Sequence, residues 1–232
     1  MRERPPHPVK SVVRKATLAV DVVVLSPQAE ALAALLVRTP PGGRERWSLP
    51  WDSLLSGEGL EDAAARITEG ALGAAPALLE QVGSFADTRR HPGDADVSVG
   101  LVALTPQVEG ALVAGAEWFP LTALPALSPR HRAIVDRATT VVRQRVDQSP
   151  LAFRLLPPTF TLSDLQGIYE LLLGRRLHKA SFRRALQASY LVEPTDEWRS
   201  EGRGRPAQLF RYAPRKRRGA RRGVRFDLFT EG

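Results

Sequence analysis

Residues 57–73 read GEGLEDAAARITEGALG, and the spacing of their apolar side chains predicts a helix over 59–72. Leu60, Ala63, Ala64, Ile67 and Leu72 recur three to four positions apart, which gives one face to bury. Glu61 and Asp62 fall in the first turn, where the helix dipole favours anions. Gly73 supplies the left-handed stop that ends many helices.

Strands flank this helix on both sides. Residues 16–25, ATLAVDVVVL, alternate and then run apolar, as a strand inside a sheet does, and 32–37, LAALLV, repeat the pattern after the Ser26-Pro27 turn. The two predict a hairpin. Further strands are expected at 79–85, 97–104 and 117–120, with the loop DTRRHPGDAD between the first two, and a second helix over 129–145. Strands sandwiched with two helices make an α/β or α+β domain.

Composition bounds the rest. The chain of 232 residues contains no cysteine, which excludes disulfides and thiolate metal sites and suits a reducing cytoplasm. No apolar run reaches the roughly 18–20 residues needed to cross a bilayer, so no membrane partner is expected. His7, His91, His131 and His178 have no metal-ligand spacing and read as ordinary surface or loop histidines, and no metal site is expected. The formal charge of +8 is uneven: residues 1–150 carry 16 Lys and Arg against 17 Asp and Glu, whereas 151–232 carry 17 against 8. That basic last third suggests a polyanion partner.

Ser149-Pro150 and Leu155-Leu156-Pro157-Pro158 mark a boundary between 147 and 158. Beyond it, Leu162, Leu165, Ile168, Tyr169, Leu172 and Leu173 form an apolar stripe ended by Gly174. Thr161 and Ser163 are both suitable caps, and Ser163 with Gln166 has capping-box spacing. A second helix follows over 178–188. Then EWRSEGRGRPA reads as the turn of a basic β-wing before a strand at 208–212. Helix, turn, helix and basic hairpin are the parts of a winged helix. The expected organisation is a basic arm at 1–14, an α+β domain at 15–147, a linker at 148–158, a winged helix at 159–213 and a basic tail at 214–232.

Residues 47–73, WSLPWDSLLSGEGLEDAAARITEGALG, resemble the signature of the Nudix hydrolases. Glu58, Arg66 and Gly73 keep their spacing, but Ile67, Gly70 and Ala71 stand where that family has metal-binding glutamates, and Trp51 and Asp52 stand where it has loop glycines. Glu69 is one position, about 100° around the helix, from the first missing member of the glutamate pair. Metal-assisted hydrolysis is therefore not expected and no catalytic residue is assigned.

FTLSDLQGIYELLLG (160–174), LHKASFRRAL (177–186) and GRGRPAQLFRY (202–212) are together similar to the Nudix-related transcriptional regulators of the NrtR type. The resemblance implies a Nudix-like α/β/α sandwich with a C-terminal winged helix, α+β in class. It implies a homodimeric regulator, a repressor of NAD-related or sugar-related genes, on a palindromic site in double-stranded DNA. The residues expected on DNA are Lys179, Ser181, Arg183, Arg184, Arg203 and Arg205, with Ser181 near a base edge and Phe182 in the core. Arg38, Trp47, Glu58, Arg66 and Arg90 form the candidate effector cleft. The effector implied is ADP-ribose or another nucleotide or sugar metabolite, although 90–95, RHPGDA, lacks two arginines of the family's pattern. A divergent hydrolase of nucleoside diphosphate derivatives and a ligand-independent architectural DNA-binding protein are the alternatives.

Overall fold

The computed structural model describes residues 15–29, 31–39, 46–107, 112–200 and 205–213. The N-terminal arm, the basic tail and Arg203 lie outside the described residues. A seven-stranded mixed sheet comprises β1 (Leu18–Gln28), β2 (Ala31–Arg38), β3 (Trp47–Ser48), β4 (Trp51–Ser53), β5 (Leu78–Phe85), β6 (Val97–Leu104) and β7 (Ala116–Pro120). Its spine runs β3-β2-β1-β6-β5, with β4 added to β1 and β7 to β2. β1 and β6 pair in parallel; the other pairs are antiparallel, including the hairpin of β1 with β2.

The two-residue period of β1 sorts its side chains between two cores. Val20, Val22 and Val24 pack beneath α1 (Leu60–Leu72) with Ala63, Ala64, Ile67 and Ala71. Val23 and Leu25 face the other way, onto Ile134, Val135 and Ala138 of α2 (Pro129–Arg145). The result is the expected sandwich. Both helices end as their sequences direct: Gly73 adopts φ 78° and bonds back to the Glu69 carbonyl, and the Ser128 hydroxyl caps α2 at the His131 amide.

The segment 148–158 contains α3 (Leu151–Arg154), a short helix missing from the sequence reading. Leu151, Ala152 and Phe153 are buried, and the Phe153 ring lies 4.4 Å from that of Tyr212 and 5.9 Å from that of Phe160. The winged helix is built from β8 (Thr159–Phe160), α4 (Leu162–Leu173), α5 (Lys179–Ser189), β9 (Val192–Arg199) and β10 (Ala207–Tyr212), with sheet order β8-β10-β9. The cap of α4 differs from the Ser163–Gln166 expectation. Thr161 caps the helix and its box partner is Asp164, because the chain is still extended at Thr161 and Ser163 is already inside the first turn. A single apolar core runs from Val141, Val142 and Val146 through α3 to Leu165, Tyr169 and Leu172, so α2 packs on both domains.

Candidate functional site

α5 is amphipathic over three turns. Phe182 and Leu186, four apart, are buried against α4, where the Phe182 and Tyr169 rings meet at 5.6 Å. Lys179, in the first turn of α5, and Arg183 and Arg184 are exposed; Ser181 is half-buried, with its hydroxyl 3.3 Å from His178 Nδ1. Arg205 is exposed just before β10. These residues form one cationic helix face and a basic wing base, which is the charge arrangement that duplex DNA recruits.

Two polar clamps set this surface. Glu170 accepts from Gln166 and the Leu177 amide at Oε1 and from Arg176 at Oε2, tying the turn between α4 and α5 to the body of α4. Burial opposes its charge, but those hydrogen bonds hold the carboxyl below its ordinary value. Asp164 both caps α4 and accepts from Arg199 Nη2 at 2.7 and 2.8 Å, which fixes the last residue of β9 at the base of the wing.

The candidate effector residues occupy three places. Arg38 lies over the Trp47 ring at 5.1 Å, at the β2–β3 edge. Glu58 and Arg66 close on each other instead of facing a ligand. Arg66 Nε and Nη2 donate to the two Glu58 oxygens at 2.7 and 3.0 Å, Nη1 reaches Asp52 at 2.7 Å and Glu58 Oε2 also accepts the Leu55 amide. The Arg66 hydrogen bonds hold the Glu58 carboxyl below its ordinary value and push the Arg66 guanidinium up. Arg90 sits in the 86–96 loop, its carbonyl accepting from the Arg130 amide.

A divalent cation does not fit α1. Ile67 and Ala71 are buried in the apolar core, Gly70 has no side chain, and both oxygens of Glu58 are already engaged. Trp51, a departure from the signature, lies against the 90–95 stretch that lacks the family's arginines. The indole of Trp51 covers Gly93, where an added methyl group would come 2.7 Å from Cζ2 and 2.8 Å from Cζ3, and its ring meets His91 edge-on at 4.6 Å. Gly93→Ala is expected to destabilise the protein by about 1–3 kcal/mol. A double-mutant cycle with Trp51→Ala checks the contact, since most of that cost should disappear in the Trp51→Ala background.

The histidine expectation is corrected at two positions. His91 and His131 are 1% and 0% exposed and converge on Asp21, itself 0% exposed, in the middle of β1. Their Nε2 atoms lie 2.9 and 2.8 Å from the same oxygen, Oδ1. Each Nδ1 accepts a backbone amide, from Gly93 to His91 at 3.0 Å and from Leu49 to His131 at 3.1 Å. The amides fix both tautomers: the ring protons are on Nε2 and both point at the carboxylate.

Three such ligand atoms within 4.8 Å of one another could hold a metal by distance alone. A metal at Nε2 would move the proton to Nδ1, where a metal-bound imidazole needs an acceptor. Here a donor faces each Nδ1, so the cluster is built as a buried anion with two neutral donors. Burial raises the Asp21 pKa, but the bonds from His131 and His91 outweigh it and hold the carboxyl well below the usual carboxylate range. The signal for it in the sequence was one acid inside the apolar run ATLAVDVVVL.

A Nudix sandwich whose helix has lost its metal carboxylates, joined to a winged helix with an outward cationic face, defines a class: Nudix-related DNA-binding regulators. The chain belongs to the NrtR-type family of these regulators. The NUDIX domain profile matches residues 15–138 and the NrtR DNA-binding winged helix domain profile matches residues 152–212. The chain is 31% identical over 207 residues to the ADPR responsive transcriptional repressor NtrR of Acinetobacter baylyi, covering 84% of this chain and 82% of that one. The crystal structure of Shewanella oneidensis NrtR is similar at a TM-score of 0.72 and 28% identity, over 85% of this chain and 94% of that one. The same figures hold for NrtR of that organism complexed with a 27mer DNA. No helix among the described residues is long and apolar enough to cross a membrane.

Proposed function

We propose that this protein is a homodimeric, cytoplasmic transcriptional repressor that binds a palindromic operator through its winged helix, with the Nudix-like domain serving as a non-hydrolysing sensor of ADP-ribose. The observation that carries the reading is the outward cationic face of α5, with Lys179, Arg183 and Arg184 exposed beside a basic wing base. Two winged helices related by a dyad would reach successive major grooves about 34–36 Å apart. The likeness to a DNA-bound NrtR and to an ADPR responsive repressor supports both halves of the proposal. The sensing role is further supported by α1, whose Arg66 pairs with Glu58 of the preceding loop while the helix's metal positions are apolar or side-chain-free.

Two assays test it. Operator preference is read by anisotropy titration of duplex DNA from upstream of the protein's own gene against an unrelated duplex at near-physiological salt; a preference of roughly 10³-fold or more is expected, and equal binding overturns the operator claim. Sensing and hydrolysis are read by incubation with ADP-ribose and magnesium or manganese. Operator affinity should fall while no AMP accumulates. AMP release that vanishes in Glu58→Gln would identify a hydrolase instead.

A further inference from the structure

α2 is anchored at one end to the 86–96 loop and abuts the recognition-helix turn at the other. In its first turn the buried Arg130 side chain donates to the Asp87 carbonyl at 2.6 Å, to that of Ala95 at 2.7 Å and to that of Asp96 at 3.3 Å. His131 joins the same loop through Asp21 and His91. Arg137 donates to the Val82 carbonyl, and Arg145 pairs with Glu80, so the helix is held along β5 as well. Twelve residues beyond His131, roughly 18 Å along the axis, stands Arg143. It is exposed and has no ion pair among the described residues, yet its guanidinium lies directly on Gly174: a methyl group there would come 2.7 Å from Nη2 and 3.4 Å from Cζ.

Gly174 ends α4 at φ 69° and opens the turn to α5. The last carbonyls of α4 carry the negative end of its dipole, where a cation is stabilising. The turn itself is tightly bonded: the Gly174 and Arg175 amides reach the Glu170 carbonyl and the Leu177 amide reaches the Glu170 side chain. Glycine at 174 gives both the left-handed backbone and the room for the guanidinium.

We infer that Arg143 is a positioning residue for DNA recognition, the contact by which the Nudix-like domain sets the turn that carries the recognition helix. The inference rests on the operator-binding reading given above. α2 joins loop 86–96 to that turn in one rigid element, so a ligand that displaces the loop would shift Arg143 against Gly174. The winged helix then receives the displacement at the one turn whose geometry orients Lys179, Arg183 and Arg184.

The test compares the full-length protein with Arg143→Gln and with Arg132→Gln, a surface variant on the same helix. Hydrogen exchange read without DNA is expected to speed up at the Gly174, Arg175 and Leu177 amides in Arg143→Gln alone. Operator affinity should fall by about fivefold to tenfold, the salt dependence should keep its slope, and the change in affinity caused by ADP-ribose should shrink. A slope reduced by about 0.9 would mean that Arg143 holds a phosphate directly, and unchanged exchange would mean that it holds nothing; either overturns the inference. Wild-type protein that binds operator and unrelated DNA alike would refute the functional reading, and the exchange result would still decide the role of Arg143 at the turn.

Discussion

Asp21→Ala is expected to lower stability by about 3–5 kcal/mol, a fall of roughly 10 °C in Tm for a protein of this size. The substitution leaves two buried Nε2–H donors, on His91 and His131, aimed at a space with no acceptor. Neither ring can escape by changing tautomer, because the Gly93 and Leu49 amides already occupy the Nδ1 atoms. Asp21→Asn keeps an acceptor at Oδ1 and should cost less, about 1–3 kcal/mol. It also isolates the charge. The folded Asp21 carboxyl is held below its unfolded value, so its contribution is complete above an unfolded pKa of about 4 and is lost as pH falls toward the folded value. The stability difference between wild type and Asp21→Asn, measured by urea unfolding at stepped pH, should therefore be constant near neutrality and shrink in acid. A difference that stays constant down to pH 2 would contradict an ionised, hydrogen-bonded Asp21.

That cluster also marks where sequence reasoning runs out. The helices α1 and α2 were legible because each carries local signals within one segment: α1 an apolar period and the left-handed stop at Gly73, α2 an apolar period behind the Ser128 cap. The Asp21 contacts join residues 70 and 110 positions apart. His91 follows a loop arginine and precedes Pro92-Gly93, while His131 sits in a helix turn, and neither setting announces burial. β3, β4 and β8, of two or three residues, are too short for a two-residue period to register. α3 was hidden because its four residues are held by Phe153 packing on Tyr212 and Phe160, which arrive later in the chain. Spacing identified Glu58 and Arg66 but not that they, with Asp52, would satisfy one another.

The energetics of the proposed DNA surface follow from where its described residues lie on α5. Arg183 and Arg184 are exposed on α5 and in no ion pair among the described residues, so removing them costs the fold little. Arg183→Ala/Arg184→Ala is therefore expected to keep its Tm within about 2 °C while operator affinity falls about 100-fold. The magnitude combines two kinds of contact. An arginine on a guanine edge is worth about 1–3 kcal/mol of discrimination, and one on a phosphate contributes affinity without sequence preference. The single variants separate them. For a phosphate contact, binding to operator and unrelated DNA weakens alike and the salt slope drops by about 0.9. For a base contact, operator binding alone weakens and the slope is kept. Phe182, one turn ahead of Leu186 on the buried face, holds the helix at the depth from which these side chains reach out. Phe182→Ala should accordingly lose both fold stability and binding, whereas the arginine variants lose binding alone. On a helix that served only as a solvated charged face the arginine variants would keep wild-type binding, so a loss of binding in them without a loss of stability would identify α5 as a recognition helix.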